Sequence, residues 1–228
     1  MQAVEKEEVE GSRKWIRSAV NQHSKLFGEK IREALDLESH TAIEWFSPLA
    51  SETYKEYEIG TFLEKLKIPL PKRRLADFWP DRGPQWDALG KTDDGQILLV
   101  EAKAHVSEIV SPGTGASDQS RRRIEQSLNE TKKFMDVDQS IPWSGRLYQY
   151  ANRLAYLYFL RQVNEIPAHL VFVYFFGDKE MHGPETEEEW KAAICVAEEV
   201  LGIGRRHPLS KYVHEVFVHV REMGNAQA

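Results

Sequence analysis

The sequence predicts an α/β fold in which a mixed β-sheet is flanked by helices. Three features predict it. Two strand-like runs flank the tripeptide Asp93-Asp94-Gly95 in residues 85–105, apolar residues recur at three- and four-residue steps in several other segments, and residues 168–176 form a continuous apolar run rich in β-branched and aromatic side chains. Such a run is typical of a strand that is buried on both faces.

The first 47 residues are expected to form a charged tail and accessory helices, and residues 48–228 the main domain. From Ser12, which can serve as an N-cap, apolar side chains at helical spacing predict one helix, or two helices broken near Gly28, as far as Leu37. Residues 41–44, Thr-Ala-Ile-Glu, match a capping box and predict a short helix that ends at Pro48.

Prolines mark the elements that follow. Ser47-Pro48 suits the start of a helix whose apolar side chains extend to Leu66, before Pro69 ends it. Residues 73–79 are a candidate strand and lead into the turn-rich residues 80–84. With the hairpin of residues 85–105, these segments give one helix followed by three strands.

The loop of this hairpin fixes its register, because a three-residue loop that ends in glycine is a common hairpin connection. If Thr92 faces Gln96, Asp87 lies opposite Glu101 and Gln85 lies opposite Lys103. Side chains alternate along the second strand. One face then carries Leu98, Val100, Ala102 and Ala104, and the other carries Ile97 and Leu99 near the turn and Glu101, Lys103 and His105 at the far end. The sequence therefore predicts a carboxylate pair at the mouth of a buried sheet.

Helices and strands alternate in the C-terminal half. Ser117 or Asp118 caps a helix whose first turns carry arginines 121–123, which either contact phosphate or pair with Glu125 and Glu130 on a solvated face. Helices are predicted over residues 146–164, whose tyrosines are assigned to the core rather than to base stacking, and over residues 186–201, which open with a capping box. Strands are predicted over residues 168–176 and 214–220, and Cys195 is expected in the core.

Composition restricts the functional classes. The formal net charge of −6 is unfavourable for binding phosphate, although residues 72–74 and 121–123 are locally basic. No apolar run approaches the ~20 residues that cross a bilayer, so no membrane partner is expected. A single cysteine cannot form an internal disulfide, and the first residues have no signal-peptide pattern, so we expect a cytoplasmic protein.

The predicted carboxylate pair points to metal chemistry. Two facing carboxylates repel each other, and a hard divalent cation removes that penalty. Mg²⁺ binds through one or two carboxylates, keeps several waters and contacts substrate phosphate oxygens. Lys103, on the same face as Glu101, adds a charge that can orient an attacking water and stabilise charge on phosphate. These residues predict phosphodiester hydrolysis with Mg²⁺ or Mn²⁺ as the cofactor.

At these positions the chain resembles the PD-(D/E)XK nuclease superfamily, which has the restriction-endonuclease-like fold. Asp87 is followed, after thirteen residues, by Glu101-Ala102-Lys103, although Trp86 stands where the family has proline. The resemblance implies a three-layer αβββαβ core spanning residues 48–176 within a nuclease-like domain of residues 48–228. It also implies that Asp87, Glu101 and the Ala102 carbonyl hold the metal, and that Lys103 positions the attacking water.

The resemblance implies further site residues. The first core helix of the family often lends an acidic residue, for which Glu56 is our choice and Glu52, one turn earlier, the alternative; a solvated helix face is an equally good interpretation of both. A polar residue on the helix after the lysine strand often supports the site, and Gln119 or Gln126 fits that position. The expected substrate-binding side chains are Gln85, Gln119, Arg121 and Arg122.

The expected function is therefore that of a divalent-metal-dependent nuclease or endonuclease, with DNA as the expected partner. Whether the protein forms a homodimer is left open. One alternative is a catalytically inactive restriction-endonuclease-like fold that acts as a protein- or nucleic-acid-binding module. In another, the fold differs and Glu101 and Lys103 form an ordinary strand-end ion pair. A separation of more than ~8 Å between Asp87 and Glu101 would favour the last alternative.

Overall fold

A computed structural model describes residues 9–81, 83–204 and 206–224. The helices are α1 (Gly11–Asn21), α2 (Ser24–Ala34), α3 (Ile59–Lys65), α4 (Leu75–Phe78), α5 (Asp118–Phe134), α6 (Tyr148–Tyr158), α7 (Glu187–Leu201) and α8 (Arg221–Gly224). The strands are β1 (Ile43–Ser47), β2 (Tyr57–Glu58), β3 (Gln85–Trp86), β4 (Ala88–Thr92), β5 (Ile97–Lys103), β6 (Ala168–Phe176) and β7 (Val213–His219).

The central sheet is mixed and has the strand order β1-β4-β5-β6-β7. β4 pairs antiparallel with both β1 and β5, whereas β5, β6 and β7 run parallel to one another. A second, small sheet pairs β2 with β3. The α/β class with a mixed sheet is confirmed. β5 occupies the middle of the sheet and is buried along its whole length, as expected for a strand covered on both faces.

The hairpin register is confirmed from the turn as far as Ala88 and Val100, but Gln85 pairs with Glu58 of β2 and does not lie opposite Lys103 as predicted. Ala88 pairs with Val100 and Lys91 with Ile97, and the Thr92 amide donates to the Gln96 carbonyl at 2.9 Å. Gly95 closes the loop with a φ of 94°, a conformation that glycine adopts without strain.

Two hydrophobic cores lie on opposite faces of the sheet, and they follow the alternation of β5. Leu98, Val100, Ala102 and Ala104 pack against α1 and α2. Ile97 and Leu99 face the second core, to which α3, α5, α6 and α7 contribute. The end of β5 therefore emerges between two helical layers, with Glu101 and Lys103 directed to the side of α6.

The N-terminal predictions need correction. Residues 43–47 form β1, an edge strand of the central sheet, and not the helix predicted from the capping-box pattern. Trp45 covers Gly90 of β4 and stacks on Phe27 at 5.1 Å, so burial of this ring favours the strand. The break in the helix pair falls at residues 22–23 and not near Gly28, which is buried within α2. The N-cap of α1 is Glu10, two residues before Ser12, which was the expected cap.

The predictions for residues 48–79 were wrong in the same way. The long helix predicted from Pro48 to Leu66 is replaced by a short 3-10 turn at residues 50–52, then β2, and only then α3. Thr53 and Tyr54 both have positive φ values, of 54° and 57°, which end the helical path. The predicted strand at residues 73–79 contains α4, and its Phe78 stacks on Phe159 at 4.7 Å.

The C-terminal half follows the sequence closely. Ser117 caps α5, Thr186 and Glu189 form the capping box of α7, and β6 has the predicted bounds. Tyr150, Tyr156 and Tyr158 are core residues. The prediction that Cys195 lies in the core was wrong, because this residue is exposed on α7. None of the helices in the described ranges has the length and apolar character needed to cross a membrane.

Candidate functional site

The candidate site forms where the chain steps from the small sheet into the central one. β3 pairs with β2, whereas β4 pairs with β5. Asp87 is the single residue between β3 and β4. Released from both ladders, its half-buried side chain turns to the end of β5, where Oδ2 accepts a hydrogen bond from the Ala102 amide at 2.7 Å. Asp87 therefore binds the backbone directly next to Glu101, which does not fit the alternative that required a wide separation.

Glu101 and Lys103 form a buried ion pair beside Asp87. The Glu101 side chain is 1% exposed, and its Oε1 lies 2.5 Å from Lys103 Nζ. Lys103 also donates to Gln149 Oε1 of α6 at 3.0 Å. The ammonium thus has an acceptor on each side, which fixes it between the sheet and α6.

Arg153 of α6 binds the other oxygen of Glu101, with Nε 2.6 Å from Oε2. Its Nη2 donates to the Gln85 carbonyl at 2.8 Å, and Nη1 donates to Asn152 Oδ1 at 3.1 Å. The guanidinium also lies over the Trp86 ring, 4.4 Å from its centroid. A buried carboxylate is stable as an anion only when it is paired in this way.

The two carboxyl groups differ in electrostatic environment. Burial, and then the charge of Glu101, raise the pKa of Asp87 to about 7, against the opposing effects of Lys103, the Ala102 amide and Arg153. Burial also acts to raise the pKa of Glu101, but Arg153 and Lys103 outweigh it and hold that pKa below its usual value. In the metal-free protein Glu101 is thus the anion, and Asp87 takes up a proton near neutral pH.

A cleft of about 450 Å³ opens onto these groups. Its walls come from the start of α1, the ends of β3 and β5, the turn after β5 and the first turn of α6. The lining residues are Val9, Glu10, Ser12, Arg13, Asp87, Lys103, Glu108 and Gln149. Glu108 anchors this wall, since Oε1 accepts from Ser12 Oγ at 2.8 Å and Oε2 from the Ala104 amide.

Glu56 reaches the neighbourhood of the site from a strand end and not from a helix. The β2–β3 register pairs Tyr57 with Trp86, so Glu56 is the next position, beside Asp87. Its carboxylate is bound to Arg13 at 3.3 Å, and Arg13 lines the cleft. Glu52, the alternative, bonds instead to Tyr57 and Lys65. A metal-binding role for Glu56 stays a prediction.

The predicted substrate-binding residues lie outside the cleft lining. Gln119, Arg121 and Arg122 are exposed on the first turns of α5, and Gln126 is exposed one turn later. Gln85 contributes its carbonyl, which binds Arg153, while its side chain is exposed. The arginines of residues 121–123 do not pair with Glu130, whose carboxylate binds Arg73 at 2.8 Å. Contact with substrate through Gln85, Gln119, Arg121 and Arg122 stays a prediction.

Gln149 and Arg153 were missed by the sequence analysis, although they are the α6 side chains that contact Lys103 and Glu101. They are four residues apart and so lie on one face of the helix. A signal existed for Arg153. It lies in a helix whose residues 150–158 are all buried, and a charge in such a helix requires a buried partner.

The donor set fits a small, hard cation. Asp87 supplies a carboxylate at the cleft and Glu101 a second, buried one beside Lys103, which suits Mg²⁺ because this ion binds one or two carboxylates and keeps several waters. In the described residues no three Asp, Glu, His or Cys side chains form a group that could hold a metal ion.

Comparison of the chain with protein-family models, curated proteins and solved structures found no match. Functional assignment therefore depends on the geometry of the site.

Proposed function

We propose that this chain is a Mg²⁺- or Mn²⁺-dependent nuclease of the PD-(D/E)XK type that hydrolyses phosphodiester bonds, with DNA as the substrate to test first. The observation that carries the proposal is that Asp87 and Lys103 line one cleft, while Glu101 pairs with Lys103 and Asp87 binds the Ala102 amide next to Glu101. The three residues come from the two arms of one hairpin, so their spacing depends on the fold and not on chance proximity.

The order of elements also supports this assignment. Helices α1 and α2 precede the antiparallel strands β1, β4 and β5, and helices α5 and α6 precede β6, which runs parallel to β5. With β2, α3, α4 and β3 treated as an insertion, this is an αβββαβ order in which Asp87 directly precedes the second strand and Glu101 lies on the third. In this assignment α1–α2 and β1 take the places of the core helix and first strand that were expected at residues 48–66 and 73–79.

Each residue has a distinct task in this proposal. Asp87 and Glu101 hold the cation, for which Asp87 must lose the proton that its raised pKa retains near neutral pH. When bound, the cation stabilises negative charge on phosphate oxygens and lowers the pKa of water. Lys103 lines the cleft and donates a hydrogen bond to the attacking water or to a phosphate oxygen. Gln149 accepts a hydrogen bond from the Lys103 ammonium and so holds it in place before substrate binds.

The competing assignment is a catalytically inactive fold that acts as a binding module. The contacts of Glu101 favour it, since Lys103 and Arg153 occupy both carboxylate oxygens without a metal. The net charge of −6 also favours a protein partner over nucleic acid. A homodimer is compatible with either assignment and stays a prediction.

Cleavage of plasmid DNA, single-stranded DNA and RNA with Mg²⁺ or Mn²⁺ tests the proposal. We expect Lys103→Met to abolish cleavage while the protein stays folded. Lys132→Met is the matched control, because Lys132 is also a buried lysine but donates to the carbonyls of Gln139 and Ile141 away from the cleft. Equal cleavage by the wild type and Lys103→Met would refute the role of Lys103. Absence of Mn²⁺ binding in the wild type would favour the binding module.

A further inference from the structure

Arg153 is a buried cation to which the proposed chemistry assigns no role. Its side chain is 3% exposed, and its three nitrogens each donate to a different acceptor, on β5, on β3 and on its own helix α6. The Trp86 ring covers one face of the guanidinium. These contacts fix both the position and the plane of the Arg153 guanidinium.

The geometry determines which oxygen of Glu101 is available. Arg153 takes Oε2, whereas Oε1 accepts from Lys103, the residue of the pair that lines the cleft, so Oε1 is the oxygen on the cleft side. We propose that Arg153 is a positioning residue that holds Glu101 so that it binds the metal through Oε1 alone. This inference rests on the proposed function, because it concerns the same metal site.

A purely electrostatic role makes the opposite prediction. A cation next to a metal ligand repels an incoming metal, so its removal alone would strengthen metal binding. If Arg153 instead orients Glu101, its removal weakens metal binding, because the carboxylate loses the contact that anchors Oε2. The sign of the change in Mn²⁺ affinity therefore separates the two roles.

Arginine is required for the positioning role. Lysine in its place keeps the positive charge but presents one ammonium in place of a planar fork, so it cannot reach the acceptors on β5, β3 and α6 at the same time. Arg153→Lys thus keeps the charge and removes the orientation. Arg153→Met removes both while keeping an apolar stem against Trp86.

The test is calorimetric titration of Mn²⁺ into the metal-free full-length protein, without nucleic acid. We expect Arg153→Lys and Arg153→Met to raise the dissociation constant for Mn²⁺ by at least about tenfold, as loss of partners that orient metal ligands does elsewhere. Arg161→Lys is the matched control, since Arg161 also lies on an aromatic ring, that of Tyr212, and donates to the Ala168 carbonyl at 2.9 Å. It should leave Mn²⁺ affinity unchanged.

Asn152→Ala gives a milder perturbation if the Arg153 variants do not fold. It leaves Glu101 and Arg153 intact but removes one of the three acceptors of Arg153, so we expect the dissociation constant to rise by about threefold. Unchanged or tighter binding in a folded Arg153→Lys, or unchanged binding in Asn152→Ala when Arg153→Lys does not fold, overturns the inference and leaves the proposed function intact. Absence of Mn²⁺ binding in the wild type overturns both.

Discussion

Replacing Asp87 with asparagine should change how the stability of the metal-free protein depends on pH. Burial and Glu101 raise the pKa of Asp87 from 3.8 to about 7. A difference of about 3 pKa units corresponds to about 4 kcal/mol in the free energy of unfolding. This is an upper value, because the carboxylate lines an open cleft. Asparagine keeps the acceptor for the Ala102 amide and removes the charge.

The direction in which the free energy of unfolding changes with pH follows from proton linkage. Between pH 4 and pH 7 the folded state keeps the proton on Asp87 and the unfolded state loses it, so deprotonation favours unfolding. The contribution of Asp87 is therefore fully present below the unfolded pKa and is lost as pH rises through about 7. Asp87→Asn has no such loss. Relative to wild type, the variant should gain up to about 4 kcal/mol between pH 4 and pH 8.

Urea unfolding of both proteins in chelator at pH 4, 6 and 8 measures this effect. Every other titrating group is shared, so the difference between the two free energies of unfolding isolates Asp87. A difference that stays constant with pH would refute the reasoning. Addition of Mn²⁺ at pH 8 should then stabilise the wild type and leave the variant unchanged, because binding to the folded state alone raises its stability.

Three further predictions concern other parts of the molecule. Lys103→Met should tighten Mn²⁺ binding by about tenfold in calorimetry, because it removes a cation from Glu101 while Arg153 still holds the carboxylate; weaker binding would contradict this. Burial, and then His214, lower the pKa of His169 to about 4, so stability should fall by up to about 3 kcal/mol as pH drops from 6.5 to 4. His169→Gln should flatten that dependence in urea unfolding. Gly90→Ala should cost about 1–3 kcal/mol in the same assay, because its Cβ would meet the Trp45 ring at 2.9 Å, and Trp45→Ala should remove most of that cost.

The hairpin and the C-terminal half could be predicted because their signals are local. The Asp93-Asp94-Gly95 loop sets the register of β4 and β5, and the capping box at Thr186 and Glu189 is completed by contacts within four residues. Both depend on interactions between residues that are close in sequence. Tertiary packing had little opportunity to override them.

The N-terminal errors arose where a short pattern competed with long-range packing. Thr41 and Glu44 have capping-box spacing, but the segment gains more from pairing with β4 and from covering Gly90 with Trp45. A four-residue pattern arises easily by chance, whereas an edge strand is visible only once its partner is known. The same limit hid Gln149 and Arg153, since their partners are more than 45 residues away in sequence.

The position of the site follows from how backbone hydrogen bonds are satisfied at the end of β5. β5 continues to Lys103, but β4 begins only at Ala88, and β3 belongs to the other sheet. The amide of Ala102 consequently needs an acceptor, and the Asp87 carboxylate provides it. The break in the ladder therefore brings an acid to the end of β5, next to Glu101. Asp87→Ala would remove this acceptor together with the charge, so only Asp87→Asn separates the role of the carboxylate in chemistry from its role in the fold.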